Sequence, residues 1–153
     1  MSSPTARLQE LGLTLPPAPK PVASYVPSVR SGNLLYVSGQ LPFRDGALMA
    51  TGAVPDAVAL EQAQECARQC VLNGLAVAHG ALGSIDQIAR VVRVGAFVQC
   101  HPGYGDQPKV ANGASELLAE VFGEAGRHAR AAVGSIGLPL NAPVEVEFLF
   151  EVR

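Results

Sequence analysis

Apolar residues recur every three or four positions between Ala57 and Leu82, which predicts one long amphipathic helix. The apolar stripe of this helix contains Leu60, Ala63, Ala67, Val71, Leu75 and Ala78. Asp56 is a favourable N-cap for its start, and Gly80 and Gly83 are expected to end it. The same spacing of apolar residues predicts a second helix from about Lys109 to Phe122.

Alternation of apolar and polar residues predicts a strand at the end of the chain. There, one side is apolar and the other is mainly acidic: Val144, Val146, Phe148, Phe150 and Val152 against Glu145, Glu147 and Glu151. A run rich in β-branched residues predicts another strand from about Val91. The turn signal Ser31-Gly32-Asn33 separates two further short strands, which are expected to pair as a hairpin.

Proline and turn-forming residues divide the first part of the chain into short segments. Thr5 to Leu13 is predicted to form a short helix, and the prolines between Pro16 and Pro21 to form an extended connector. A second turn is expected at Arg44-Asp45-Gly46, followed by a small edge strand from Leu48 to Thr51. Residues 1–20 are therefore interpreted as an amino-terminal extension of one domain that spans residues 1–153.

The order of predicted elements is strands, helix, strand, helix, strands, which is typical of an α+β fold. Two helices of this length can cover one face of a sheet of about four to six strands. The other face then needs a different cover, which a second or third copy of the chain could supply.

The amino-acid composition indicates which kinds of partner the protein is expected to bind. Hydrophobic residues make up 48% of the 153 residues and charged residues only 16%, which favours a homo-oligomer. The net charge of −2 does not provide the cationic surface needed for non-specific nucleic-acid binding. Aromatic residues are 5% of the chain and tryptophan is absent, so a base-stacking platform is not expected.

Cysteine and histidine placement argues against disulfides and metal sites. The three cysteines lack framework spacing and are expected to be reduced thiols in a cytoplasm-like compartment: Cys66, Cys70 and Cys100. The histidines at positions 79, 101 and 128 do not cluster with them, so no metal is expected. His128, beside Arg127 and Arg130, could join an anion site, with a surface position as the alternative. No signal peptide or membrane-spanning segment is predicted, so we expect a soluble protein.

Several segments carry a resemblance to a known family. They are ASYVPSV around Tyr25, GNLLYVSGQLP (32–42), VANGASELL around Asn112, and RAAVGSIGLPLNAPVEVE (130–147). In order and spacing this chain resembles the YjgF/Rid (reactive intermediate deaminase) family, also described as L-PSP endoribonuclease-like, over about residues 20–153.

The resemblance implies a chorismate-mutase-like fold and a homotrimer with a central barrel and three clefts between subunits. It implies hydrolysis of small 2-imino or enamino acids to 2-keto acids and ammonia, without a metal or organic cofactor. By motif match, the ligand-binding residues would be Tyr25, Ser38, Gly39, Asn112 and Arg130, with Glu145 associated with the reacting water. Ala132 stands where the family often has cysteine, so no thiol can act at that position.

Two of these residues have a chemistry that can be read without the resemblance. The guanidinium of Arg130 can pair bidentately with a carboxylate, and the alternative is a structural ion pair with a glutamate. A carboxyl at Glu145 can deliver water and move protons, and the alternative is a solvated glutamate on a strand face. If the turn before the last strand centres near Leu140, Arg130 faces about residue 150 of its own hairpin, several positions from Glu145. A functional pair would then need strand stagger or contact across a subunit boundary.

Three functions remain open at this point. The first is a cofactor-free deaminase that acts on small carboxylate-bearing imines. The second is an endoribonuclease or translation inhibitor, against which the acidic balance and scarce aromatic residues argue. The third is a non-catalytic protein that binds a small carboxylate metabolite in the same clefts, which Ala132 leaves open.

Overall fold

A computed structural model describes residues 2–153 as three helices and seven strands. The helices are α1 (Pro4–Glu10), α2 (Leu60–Leu82) and α3 (Gln107–Phe122). The strands are β1 (Ser28–Ser31), β2 (Leu34–Gln40), β3 (Phe43–Arg44), β4 (Ala47–Leu48), β5 (Ile88–Gln99), β6 (Ala129–Ser135) and β7 (Val144–Val152). Short 3-10 turns precede β5, follow α3 and precede β7.

Five strands form one mixed sheet in the order β1-β2-β7-β5-β6, while β3 and β4 form a separate small hairpin. Strands β5 and β6 run parallel and the other neighbours run antiparallel. Helices α2 and α3 pack against each other and against one face of this sheet. The predicted α+β fold with two helices on one face is confirmed.

The alternation predicted for the last strand is present in β7. Its apolar positions, including Phe148 and Phe150, are buried beneath the helices, and its three glutamates are half-buried on the other face. That second face, which we call the open face, carries no helix among residues 2–153. It exposes apolar side chains such as Tyr36 (49% exposed) and Val133 (47% exposed).

The predicted pairing of Arg130 with about residue 150 is wrong. Strands β6 and β7 are not neighbours, because β5 lies between them and pairs with both. The chain leaves β5, crosses over through α3 and returns as β6 parallel to β5, and β7 pairs on the other side of β5. Counting residues on each side of a turn gives the wrong pairing here, because the count assumes that consecutive strands are neighbours in the sheet.

The long helix begins later than predicted. Residues 55–57 form a turn, and the backbone N–H groups of Ala57 and Val58 both donate to Ala53 O. The N-cap is Ala59, and Asp56 instead places its carboxylate 3.2 Å from His101 Nδ1. The predicted end is confirmed, because Gly83 caps α2 in the left-handed conformation, which glycine adopts readily.

The amino-terminal segment is attached to the domain by specific contacts. Ser3 caps α1 by accepting a hydrogen bond from Ala6 N, and Leu8 is buried in the core. Arg7 Nε donates to Glu120 O at 3.1 Å, which ties α1 to α3. The predicted strand at Leu48–Thr51 is instead β4, Ala47–Leu48, paired with β3 around the expected turn.

All three cysteines are free and buried. Burial raises the pKa of the Cys66 thiol to about 11, and that of Cys70 well above its usual value. Across residues 2–153, none of the helices combines the length and apolar character needed to cross a bilayer.

Candidate functional site

A cavity of about 320 Å³ lies between the proline-rich connector and the end of β2. Its walls come from three parts of the chain: Pro19 to Ala23 with Tyr25 and Pro27, Gly39 to Leu41 with Phe43, and Pro139 with Glu145. The cavity thus brings together Tyr25, Gly39 and Glu145, three of the residues predicted for the site. We call this group the carboxyl half-site.

Gly39 and Glu145 approach each other closely within this half-site. A Cβ atom at position 39 would overlap the Oε2 atom and the carboxyl carbon of Glu145. The backbone of Gly39 does not require a positive φ, so the reason for glycine here is space rather than conformation. The missing side chain leaves room for the carboxyl of Glu145 beside the strand.

The environment of Glu145 changes its acidity. Burial disfavours the charged carboxylate and, together with the nearby negative charge of Glu147, raises the pKa of Glu145 above its usual value. The side chain is nonetheless only half-buried and borders the cavity. Such a carboxyl exchanges protons at a higher pH than an ordinary glutamate, which suits acid–base chemistry near neutrality.

Ser38 is placed differently from its predicted role. Its hydroxyl donates to Val26 O at 2.8 Å, and its backbone N–H donates to Pro27 O at 2.9 Å. These bonds hold the segment that carries Tyr25 against β2. Ser38 is adjacent to the cavity but does not line it, whereas Tyr25 lines it and is 46% exposed.

A second group of polar residues forms at the edge where α3 meets β6. Arg130 Nη1 donates to Asn112 Oδ1 at 2.9 Å and to Ser115 Oγ at 3.1 Å. Arg130 Nη2 donates to the backbone carbonyl of Pro108 at 3.3 Å. We call Asn112, Ser115 and Arg130 the guanidinium half-site; it contains the predicted Asn112 and Arg130.

These hydrogen bonds leave one edge of the guanidinium unoccupied. Of its five N–H groups, Arg130 uses both on Nη1 and one on Nη2 within residues 2–153. The Nε–H and one Nη2–H are left without a partner among these residues, and donors on these two atoms can form a fork that matches the two oxygens of a carboxylate. None of the ion pairs among the described residues includes Arg130, so its positive charge is not neutralised by a neighbouring glutamate there.

The two half-sites lie on opposite faces of the sheet. Val94 of β5 pairs with both Arg130 and Phe148, and these side chains share the face covered by helices. Glu145 lies three positions before Phe148 on β7, between buried Val144 and Val146, and therefore on the open face. Two strand spacings and three residues separate Arg130 from Glu145, which is about 14 Å between Cα atoms.

This fold and these motifs match one family model over residues 5–152, described as "YjgF/chorismate_mutase-like, putative endoribonuclease". The chain belongs to the YjgF family. Its relatives include Protein TCP17 of Trypanosoma cruzi, which is 45% identical over 97% of this chain and 93% of that protein. A 2-iminobutanoate/2-iminopropanoate deaminase of Dermatophagoides farinae is 29% identical over 92% of this chain and 95% of that protein.

A solved YjgF-like structure agrees closely with the fold. The protein Atu1372 of Agrobacterium tumefaciens, of unknown function, has a TM-score of 0.91 and 48% identity. The similarity covers 98% of this chain and 92% of the Agrobacterium chain. The close match therefore includes the amino-terminal segment as well as the sheet and helices.

Ser115 and Pro108 both accept hydrogen bonds from Arg130 in this YjgF chain, although sequence motifs did not point to them. Asn112 and Ser115 are three positions apart on α3, so they face the same side of the helix and both reach Arg130. That spacing was a usable signal for Ser115. The Pro108 carbonyl carries no side-chain signal, and only the structure reveals it.

The titratable side chains of this YjgF chain are dispersed. Across residues 2–153, no group of three or more His, Cys, Asp or Glu side chains is arranged to hold a metal ion. Of the three histidines, His128 alone contacts a half-site, through Ser115.

Proposed function

We propose that this protein is a hydrolytic deaminase that converts small 2-imino or enamino acids into 2-keto acids and ammonia without a cofactor. The observation that carries the proposal is the free fork of Arg130, which matches a carboxylate, together with a glutamate of raised pKa in a cavity. The mite relative described as a 2-iminobutanoate/2-iminopropanoate deaminase supports the choice of substrate class.

The same proposal requires an oligomer. Because the half-sites occupy opposite faces of one sheet, a substrate of a few atoms cannot touch Arg130 and Glu145 of the same chain. We infer a homotrimer in which the β6 edge of one copy approaches the carboxyl half-site of the next. Apolar side chains exposed near these surfaces would be covered by that contact, notably Ile136 (90% exposed) and Val133 (47% exposed).

The chemistry follows from the groups in the assembled cleft. Arg130 of one copy binds the substrate carboxylate and places carbon 2 of the imine near Glu145 of the other. Glu145 accepts a proton from a water molecule as the water oxygen bonds to carbon 2, and then passes that proton to the imine nitrogen. The resulting carbinolamine loses ammonia and leaves the 2-keto acid, so one water is consumed for each ammonia released.

An enamine substrate needs one earlier step. Carbon 3 of the enamine must gain a proton to give the imine, and a glutamate with a raised pKa retains a proton to higher pH than usual. The same carboxyl can therefore act first as an acid and then as a base. Gly39 leaves the space that this carboxyl occupies beside the cavity.

The test is hydrolysis of 2-iminopropanoate, generated in place from an amino acid by a dehydratase or an amino acid oxidase. The residual imine is trapped with semicarbazide, and its disappearance is compared with and without the protein. We expect acceleration by the wild type and a loss of about 10²–10⁴-fold in Glu145→Gln. Glu151→Gln is the matched control, since Glu151 lies on the same strand and face outside the cavity.

The other two functions predict different results. A non-catalytic metabolite-binding protein would show a higher melting temperature with 2-keto acids but no imine hydrolysis. An endoribonuclease would cleave RNA in a manner that depends on Arg130 and on salt. An unchanged rate of imine disappearance with a correctly assembled protein would refute the deaminase proposal for that substrate.

A further inference from the structure

His128 lies behind Arg130 and is connected to it through Ser115. The ring nitrogen Nε2 of His128 is 2.8 Å from Ser115 Oγ, and Nδ1 is 2.6 Å from Gly126 O. Ser115 Oγ is in turn 3.1 Å from Arg130 Nη1. Ser115 and His128 are both partly buried, so the contacts are only partly exposed to bulk water.

The direction of each hydrogen bond follows from the chemistry of the groups. A backbone carbonyl can only accept, so Nδ1 of His128 carries the hydrogen that points at Gly126 O. In the neutral imidazole Nε2 is then an acceptor, and the Ser115 hydroxyl must donate to it. The hydroxyl oxygen retains its lone pairs and accepts from Nη1 of Arg130, which can only donate.

The hydroxyl hydrogen of Ser115 is therefore committed to His128. This hydrogen bond fixes the rotation of the Ser115 hydroxyl, so that a lone pair of its oxygen points at Arg130. A freely rotating hydroxyl would not keep its lone pairs in one direction. Asn112 Oδ1 takes the other N–H of Nη1 at 2.9 Å, so both hydrogens on that nitrogen are fixed. The donors left for a ligand are then the Nε–H and one Nη2–H.

We propose that Ser115 and His128 are positioning residues that fix the orientation of the Arg130 fork for a carboxylate ligand. This rests on the proposed function, because it takes the ligand of Arg130 to be the substrate carboxylate. Neither residue touches the substrate. Their contribution is to hold a flexible, charged side chain in one orientation before the ligand arrives, which lowers the entropy cost of binding.

The test compares Ser115→Ala with Ser115→Thr, which keeps the hydroxyl, and His128→Phe with His128→Gln, which keeps an acceptor near the Nε2 position. Dissociation constants for pyruvate and for its neutral amide are measured by calorimetry, and KM and kcat are measured for 2-iminopropanoate. We expect Ser115→Ala and His128→Phe to weaken pyruvate binding and raise KM about tenfold, with kcat changed less than about threefold. The conservative variants should restore most of the loss, and affinity for the amide should change little.

A readout independent of catalysis distinguishes this proposal from the deaminase proposal. The ¹⁵N chemical shifts of His128 in the ligand-free protein should report a hydrogen on Nδ1, and Arg130→Ala should perturb them through Ser115. If pyruvate binds and depends on Ser115 while imines are not hydrolysed, the positioning role stands and the deaminase activity fails. Equal pyruvate affinity in the wild type and Ser115→Ala, or a hydrogen on Nε2 of His128, would overturn the positioning role. If Ser115→Ala does not fold, the His128 pair and the chemical shifts decide.

Discussion

Arg130 and Glu145 lie on opposite faces of one sheet, with β5 between their strands. Arg130 points toward α3, where Asn112 and Ser115 hold it, and Glu145 points into a cavity beside Gly39. A single chain therefore presents the two groups of predicted site residues at two separate places. Joining such halves into one site requires the corresponding surfaces of two copies to meet.

Mixed assemblies of two inactive variants should recover activity. In a trimer that contains both Arg130→Ala and Glu145→Gln chains, one cleft in three receives an intact arginine and an intact glutamate. Random mixing by co-expression then gives about a quarter of wild-type activity, because about three quarters of the trimers contain both variants. Hydrolysis rates of the purified mixture, compared with each variant alone, measure this recovery. Activity no higher than that of the single variants would contradict a shared cleft.

Replacing Glu145 should stabilise the protein in a pH-dependent way. Its raised pKa means that the ionised carboxyl is less favourable in the folded chain than in the unfolded chain. This unfavourable contribution is complete above the raised pKa and vanishes below the usual value of 4.5. Glu145→Gln should therefore raise Tm by about 1–3 °C near pH 8 and leave it unchanged near pH 4.

Thermal unfolding followed by circular dichroism at several pH values checks this dependence. Glu151→Gln, at a glutamate on the same strand and face, serves as the matched control. A Tm gain in Glu145→Gln that stays constant from acid to alkaline pH would show that ionisation of Glu145 is not its cause.

Gly39→Ala should reduce activity much more than stability. The added methyl group would overlap the carboxyl of Glu145, which sits at the end of a flexible side chain and can move away. A displaced carboxyl no longer meets the substrate, so kcat/KM should fall at least about tenfold while Tm changes by less than about 3 °C. Gly80→Ala, where nothing lies within 4 Å of the added carbon, should retain full activity. Equal activity in both variants would mean that Glu145 keeps its place or is not needed.

The packing of α2 against α3 should depend on Gly113. A Cβ atom there would overlap the backbone carbonyl of Gln64, which cannot rotate out of the way. Gly113→Ala should therefore lower Tm by about 3–10 °C, as expected for overpacking that costs about 1–3 kcal/mol. Gly80→Ala in open space should instead raise Tm slightly, because alanine favours helix over glycine. Differential scanning calorimetry of the two variants compares them, and a Tm for Gly113→Ala at or above the wild type would refute the packing argument.

The sequence pattern predicted most of the fold because burial sets the period of apolar residues. The alternation of apolar residues in β7 and their spacing in α2 and α3 show which face of each element packs against the core. The spacing of apolar residues does not indicate the order of the strands in the sheet. The position of β5 between β6 and β7 depends on a crossover through α3, and no local feature near Arg130 encodes it.

Residues of the candidate site that belong to a sequence motif could be predicted. Residues that join it only through the three-dimensional arrangement could not. Tyr25, Gly39 and Glu145 meet in one cavity, and Asn112 and Arg130 meet in another place. Ser38 instead bonds to the backbone of Val26, as hydroxyl groups at strand ends commonly do. The prediction for Asp56 failed for a similar reason. Its side chain favours helix capping, but it can cap α2 only if the helix begins next to it, and α2 begins later in the chain.

Pro19, Lys20 and Pro21, at the end of the proline-rich connector, form part of the cavity wall around Glu145. Prolines hold φ near one value and cannot donate a backbone hydrogen bond, so this wall keeps its shape without becoming a strand. A chain shortened at its amino terminus to remove these residues would lose one side of the enclosure. Such a variant would have a wider opening to the cavity, and under the proposed function we expect it to accept bulkier substrates.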